Sequence, residues 1–235
     1  MPVLIRFSMP PIAFWQQSGR TCSLNIRILS LNFDYLLIMM DISKRLTVKD
    51  LATIGIFSAL MIVVFIAFSI VTGASLFFNM IFNAVFTALI LAPFFVYMTM
   101  KVGKPGVAFI YNSLHAAMAG VFMGPFMIPW FLAGGLLAEA SMIGKDSYRN
   151  IKRITAAWII TSLTRAAHGM SEIWFFKDAF IKTGVSPEQV AVQTKYYTSL
   201  QWILISLIAT IIAALIGCWL GNKLMAKHFK KAGLL

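Results

Sequence analysis

The sequence predicts an all-α integral membrane protein with six transmembrane helices and with both termini on the cytoplasmic side. Of its 235 residues, 60% are hydrophobic and only 12% are charged, and the mean hydropathy is +0.83. A soluble domain has about 45–50% apolar and about 25% charged residues. The apolar residues form separate runs of helix length, without the two-residue alternation of a transmembrane strand. These observations predict a helical bundle rather than a β-barrel.

Six apolar runs approach the length of about 20 residues that a helix needs to cross a bilayer. They cover about 51–71, 76–98, 106–122, 126–143, 154–176 and 199–220. Residues 1–40 contain no comparable run. We interpret that segment as a poorly ordered or interfacial extension, or as the product of an upstream start-site choice. The transmembrane domain is expected over residues 41–235.

The positions of lysine and arginine predict the orientation. They precede the first run, separate the second from the third and the fourth from the fifth, and follow the sixth: Lys44, Arg45, Lys49, Lys101, Lys104, Lys145, Arg149, Lys152, Arg153, Lys223, Lys227, Lys230 and Lys231. Positive residues beside membrane helices favour the cytoplasmic side. The same clustering assigns the net charge of +12 to membrane lipid rather than to nucleic acid as a partner.

The fifth run carries three ionisable residues, Arg165, His168 and Glu172. At helical spacing they stand at i, i+3 and i+7, on one face. Charged side chains within a membrane helix usually face the protein interior or a watery cavity. We therefore predict a substrate-contacting face here, with ion pairing to neighbouring helices as the alternative.

Polar residues on two other runs could complete the same pocket. Asn79 and Asn83 share a face of the second run, and Asn112 and His115 share a face of the third. With Arg165 they are predicted substrate-binding residues, because a guanidinium group suits a carboxylate or phosphate. The alternative is that the asparagines and the histidine form hydrogen bonds between helices.

The segment between the fifth and sixth runs contains a helix start. Ser186-Pro187-Glu188-Gln189 predicts a short helix from Pro187 toward Tyr197, which would be either a lid or a plain connection.

Glu139 lies near the end of the fourth run. It is expected to pair with Lys145 or with the fifth helix.

The sequence contains no catalytic or nucleotide-binding signature. HExxH, GxSxG and GxxxxGK[ST] are all missing, and Cys22 and Cys218 show no metal or redox spacing. We therefore expect neither an enzyme nor a bound cofactor. The alternative from another class is a membrane-embedded enzyme that uses His168 and Glu172 for acid–base chemistry.

The first run presents small residues on one face. Ala52, Gly55 and Ala59 stand at i, i+3 and i+7, and Gly55 and Ala59 form a small-xxx-small pair. Small residues allow the backbone of another helix to approach closely. We predict that this face docks against a partner.

The six-run pattern, the KRLTVKDLATIGIFSAL start, the TRAAHGMSEIWFF stretch and the basic C-terminus resemble the substrate-binding (S) components of energy-coupling-factor (ECF) transporters. More narrowly, residues 44–235 resemble the Trep_Strep, or MptS-like, group. Gly55-xxx-Ala59 is the nearest match to the Ala-xxx-Ala docking motif of S components.

The resemblance implies a binding subunit of an importer. It would capture a vitamin-like substrate outside and deliver it through a transmembrane coupling protein driven by two cytoplasmic ATPases. Arg165 favours an anionic substrate, whereas His115 and His168 leave room for a metal-containing ligand such as haem. A stand-alone membrane assembly protein is the remaining alternative.

Overall fold

The computed structural model describes residues 46–144 and 147–231, with side chains up to residue 227. The predicted extension at 1–40 lies outside this part of the chain. The described residues form eight α-helices: α1 Val48–Gly73, α2 Leu76–Val102, α3 Val107–Phe122, α4 Ile128–Ser141, α5 Ile151–Trp174, α6 Lys177–Ile181, α7 Pro187–Tyr197 and α8 Leu200–Lys231. Short 3-10 turns at Pro125–Met127 and Ser147–Arg149 precede α4 and α5. The all-helical prediction is confirmed.

The six predicted runs fall on α1 to α5 and α8, but these helices differ as membrane spans. Three are long and apolar enough to cross a membrane: Val48–Gly73, Leu76–Val102 and Leu200–Lys227. Helices α3 and α4 have only 16 and 14 residues. Helix α5 has 24 residues but carries the ionisable residues described above. The count of six spans therefore stays a prediction.

Helix α1 begins with a reciprocal cap. The Thr47 hydroxyl accepts a hydrogen bond from the Asp50 backbone N at 3.3 Å, and the Asp50 carboxylate accepts one from the Thr47 backbone N at 2.8 Å. This satisfies backbone donors that the helix start leaves free. Lys104 Nζ also lies 2.6 Å from Asp50 Oδ2, so the α2–α3 connection is attached to the start of α1.

Helix α8 packs closely beside α2 through two glycines. A Cβ at Gly217 would stand 2.5 Å from the Leu89 carbonyl oxygen, and a Cβ at Gly221 would stand 2.8 Å from Pro93 Cα. Gly217 and Gly221 form a second small-xxx-small pair, buried inside the protein. The two helices run in the same direction, since Ser206 Oγ donates to the Ile81 carbonyl oxygen farther back along both helices.

We expect Gly217→Leu to destabilise the helix bundle. The new side chain would overlap α2 backbone, and overpacking of this kind typically costs about 1–3 kcal/mol or more. Thermal unfolding of the purified protein in detergent measures the loss. Gly55→Leu is the matched control, because no atom lies within 4 Å of a Cβ at Gly55. An unchanged unfolding temperature for Gly217→Leu would contradict the close α2–α8 packing.

Many positive residues collect at one end of the bundle. The Asp50–Lys104 ion pair holds the start of α1 there. Arg149 lies beside Gly103, with its Nε 3.3 Å from where a Cβ would stand, and Arg153 donates to the carbonyl oxygen of Ile143 at 3.1 Å. The ends of α2 and α8 point the same way. We call this the basic end.

Glu139 has hydrogen-bond partners that the sequence did not predict. Its carboxylate accepts hydrogen bonds from the backbone N of Gly106, Ala108 and Phe109 at 2.6, 3.0 and 3.2 Å. It caps the start of α3, where Gly106 supplies no side chain and a negative charge complements the helix dipole. The Tyr148 hydroxyl also donates to Glu139. Lys145 lies outside the described residues.

Tyr148 remains a hydrogen-bond donor to Glu139. Burial raises the pKa of the Tyr148 phenol above its ordinary value, and the adjacent Glu139 carboxylate raises this pKa further. The buried carboxylate therefore keeps a protonated phenol beside it as well as the three backbone donors.

Candidate functional site

A cavity of about 260 Å³ lies at the end of the bundle opposite the basic end. Parts of α1, α2, α5, α6 and α7 surround it, together with the end of α3 and the loop before α7. Its polar and charged lining residues are Ser69, Asn79, Asn83, Arg165, His168, Glu172, Thr183, Gln189, Gln193 and Tyr197. The structure thus brings five of the seven predicted substrate-binding residues together around one space.

Arg165 is the most enclosed charged group of this lining, with 2% of its surface exposed. Its Nη2 donates to the Tyr111 hydroxyl at 2.7 Å, and its Cζ lies 5.4 Å from the Phe65 ring centroid and 5.6 Å from that of Trp158. Within the described residues, Nε and Nη1 have no hydrogen-bond partner, and no carboxylate pairs with the guanidinium group. A buried charge without a partner costs several kcal/mol. The arrangement therefore suits an anionic group that enters the cavity.

His168 presents a hydrogen-bond acceptor to the same cavity. Its Nδ1 contacts the Arg165 carbonyl oxygen, which can only accept a hydrogen bond. The proton of the neutral ring is therefore on Nδ1, and Nε2 carries the lone pair. The Phe131 ring packs against the imidazole, with the centroids 5.7 Å apart, and helps to hold its orientation.

Glu172 lies two helical turns beyond Arg165, and 4% of its surface is exposed. Within the part of the chain that the structure describes, its carboxylate has neither a hydrogen bond nor an ion pair. The rise of an α-helix places the two residues about 10 Å apart along α5. The cavity therefore contains a buried guanidinium group and a buried carboxyl group that do not pair with each other.

Tyr197, at the end of α7, closes the cavity beside Glu172. Burial raises the pKa of its phenol, and the Glu172 carboxylate raises this pKa further, so the hydroxyl remains a donor. It donates to the Met80 carbonyl oxygen at 3.3 Å. A Cβ at Gly169 would stand 2.7 Å from the same hydroxyl, so only glycine leaves room for the ring. Helix α7 thus packs directly against α5 at this point.

The two asparagines of α2 line the cavity but are already engaged with the protein. Asn83 Nδ2 lies 3.0 Å from Ser69 Oγ, 2.9 Å from Thr72 Oγ1 and 3.0 Å from Asn79 Oδ1, and its two hydrogens are shared among these acceptors. The Thr72 hydroxyl lies 3.1 Å from Asn79 Oδ1 and 2.8 Å from the Phe68 carbonyl oxygen. This network joins the end of α1 to the start of α2. Hydrogen bonding between helices is the alternative that the sequence analysis gave for these asparagines.

Asn112 and His115 do not line the cavity. Asn112 Nδ2 donates to Thr161 Oγ1 on α5 at 3.1 Å, which is an interhelical hydrogen bond. His115 is 1% exposed and packs against the rings of Phe65 and Tyr111 at 5.3 and 5.4 Å, with no hydrogen bond to either ring nitrogen from the described residues. Because His115 is turned into the core, it does not meet His168 in the cavity.

Helix α7 contributes residues that the sequence reading did not select. The predicted start is confirmed, since Ser186 Oγ accepts from the Gln189 backbone N at 3.1 Å. Gln189, Gln193 and Tyr197 all line the cavity. Their spacing of four residues places them on one helix face, and this periodicity is the signal that could have revealed them.

The predicted docking residues lie on an uncovered face of α1. Ala52 and Ala59 are exposed, and open space surrounds Gly55. The large side chain of Ile56 beside them is 69% exposed. No described part of the chain covers this apolar surface, which is therefore available to lipid or to another protein.

Comparison with known proteins places the chain in a family. Residues 48–231 match the family model described as "Hypothetical bacterial integral membrane protein (Trep_Strep)". No curated protein and no solved structure matches. The narrower resemblance predicted from the sequence is thereby confirmed, as is the membrane localisation. The chain belongs to the Trep_Strep family of bacterial integral membrane proteins.

Proposed function

We propose that this protein is the substrate-specific binding subunit, or S component, of an ECF-type importer. It captures a vitamin-like or other small micronutrient that carries an anionic group. The observation that carries the proposal is the buried Arg165 guanidinium, which lines a cavity with two nitrogens that have no partner among the described residues. A guanidinium group binds carboxylate and phosphate groups through charge-assisted hydrogen bonds.

The direction of capture follows from the charge distribution. The described lysines and arginines of the connections α2–α3 and α4–α5 lie at the basic end, and the positive-inside rule assigns that end to the cytoplasm. Both termini are then cytoplasmic, and the cavity at the opposite end faces outward. An outward-facing cavity suits uptake from the surroundings.

The segment from α6 to α7 serves as the gate. It lies between α5 and α8 in the chain and supplies Phe180, Gln189, Gln193 and Tyr197 to the cavity wall. Displacing α7 would break the Tyr197–Met80 hydrogen bond and the Trp174 Nε1 hydrogen bond to the Tyr197 carbonyl oxygen at 2.8 Å. Opening would also separate the Tyr196 ring from the rings of Phe77 and Trp202, whose centroids lie 5.2 and 5.7 Å away.

Transport requires partners, since the sequence has no nucleotide-binding motif. We propose that the Ala52, Gly55 and Ala59 face of α1 docks on a transmembrane coupling protein, which two cytoplasmic ATPases drive. The open space at Gly55 permits close approach of another helix. The protein itself is then a binding subunit and not an enzyme.

Affinity purification from the native membrane tests this function. The full-length tagged protein, extracted in mild detergent, is expected to bring down one membrane coupling protein and two ATPases, identified by mass spectrometry. An unrelated membrane protein with the same tag is the control. If the protein turned over a substrate without ATPase partners, and turnover depended on His168 and Glu172, it would be the membrane-embedded enzyme given above as the alternative. Absence of both partners and ligand would favour the assembly protein.

A further inference from the structure

The guanidinium group of Arg165 and the carboxyl group of Glu172 define what the cavity can accept. Both side chains are almost completely buried, both line the same cavity, and both lack an ionic partner within the described residues. The two residues lie about 10 Å apart along the axis of α5, and no ion pair joins their side chains.

An anionic ligand alone would compensate only one of these two buried groups. A carboxylate or phosphate bound by Arg165 would pair with the guanidinium group but would leave the Glu172 carboxyl group without a partner. A protonated nitrogen beside Glu172 would form a charge-assisted hydrogen bond with the ionised carboxylate. Both buried groups would then have a partner of opposite charge.

Two hydrogen-bond acceptors also belong to residues that line the cavity. His168 Nε2 is an acceptor on the same face of α5, between Arg165 and Glu172. On the opposite wall, Gln193 is 7% exposed, and its Oε1 has no hydrogen-bond partner among the described residues. Both groups accept hydrogen bonds, so a ligand that carries donors in its middle part would satisfy them.

We infer that the substrate is a small zwitterion. Its anionic group binds Arg165, and a protonated nitrogen binds Glu172 beneath α7, with hydrogen-bond donors between them. The inference rests on the proposed function and specifies its substrate class. A cationic group at Glu172 would also place the substrate against Tyr197, which links recognition to closure of α7.

The test is native mass spectrometry of the full-length protein, purified in mild detergent from its own cells. The compound released from the wild-type protein is identified by accurate mass and fragmentation. We expect it to contain both an acidic group and a basic nitrogen. In Glu172→Gln the fraction of protein with bound compound is expected to fall about tenfold or more, because a buried charge pair is lost. Glu188→Gln is the matched control, since Glu188 is an exposed carboxylate on α7 that does not line the cavity.

The possible results separate this inference from the proposed function. A bound compound with an acidic group but no basic nitrogen would overturn the zwitterion and leave the binding function standing. If Glu172→Gln retained as much bound compound as the wild-type protein, the zwitterion would also be overturned and the binding function would stand. An empty wild-type protein would overturn the binding function and the inference with it. Chemical identification uses the wild-type protein, so it does not depend on the folding of any variant.

Discussion

Replacement of Arg165 by methionine is expected to abolish retention of the ligand while the protein still folds. Truncating one partner of a buried charge pair costs about 2–5 kcal/mol, which corresponds to roughly 30-fold or more in affinity. Methionine has a similar length, and it removes a buried charge whose only hydrogen-bond partner among the described residues is Tyr111. Its effect on the free energy of unfolding should therefore be small. Native mass spectrometry measures occupancy, and thermal unfolding in detergent measures stability.

Arg149→Met is the matched control for this experiment. Arg149 is exposed and lies at the basic end, away from the cavity, so its loss should leave occupancy unchanged. Full occupancy in Arg165→Met would remove this residue from the binding site. A protein that no longer folds would make Arg165 a structural residue, with Tyr111, Phe65 and Trp158 as the contacts that it stabilises.

Substitution of leucine for Gly55 or Ala59 is expected to separate binding from transport. Neither residue lines the cavity, and the space around Gly55 is open, so folding and ligand occupancy should stay at the wild-type level. A leucine there would hold another helix away from α1. We expect co-purified coupling protein to fall about tenfold, equivalent to about 1.4 kcal/mol of docking free energy. The ratio of coupling protein to bait, measured by mass spectrometry, reports the loss.

Ile70→Leu is the control for the docking face. Ile70 is exposed on α1 but lies near its other end, and the substitution conserves volume. If both leucine variants retained the coupling protein at the wild-type level, the Gly55 and Ala59 face would not be the docking surface. Lipid contact would then be sufficient to explain its apolar character.

The two small-xxx-small pairs illustrate what a sequence pattern can and cannot distinguish. Gly55-xxx-Ala59 and Gly217-xxx-Gly221 have the same spacing, and either could mark a helix contact. In the structure, Gly217 and Gly221 pack on α2 within the protein, whereas Gly55 faces open space. The pattern reports the capacity for close approach, but it does not report which helix approaches.

The polar residues of α3 show that helical spacing does not determine which side of a helix faces the cavity. The spacing of Asn112 and His115 correctly places them on one face, but that face turns toward the core. Asn112 bonds Thr161, and its Cβ lies 2.7 Å from where a Cβ at Gly135 would stand. The contacts of α3 with α4 and α5 therefore decide the rotation of α3, and they turn these residues away from the cavity.

The sequence by itself determined helices α1 to α5, α7 and α8, the cap of α7 and the common face of Arg165, His168 and Glu172. Each depends on residues within a few turns of one another, where helical geometry and hydrogen bonding to nearby backbone are decisive. Only the tertiary structure placed the α7 glutamines across from that face. It also turned His115 into the core and joined Glu139 to the backbone of α3. Those outcomes depend on how distant helices rotate and pack, because packing selects among faces that local periodicity leaves equivalent.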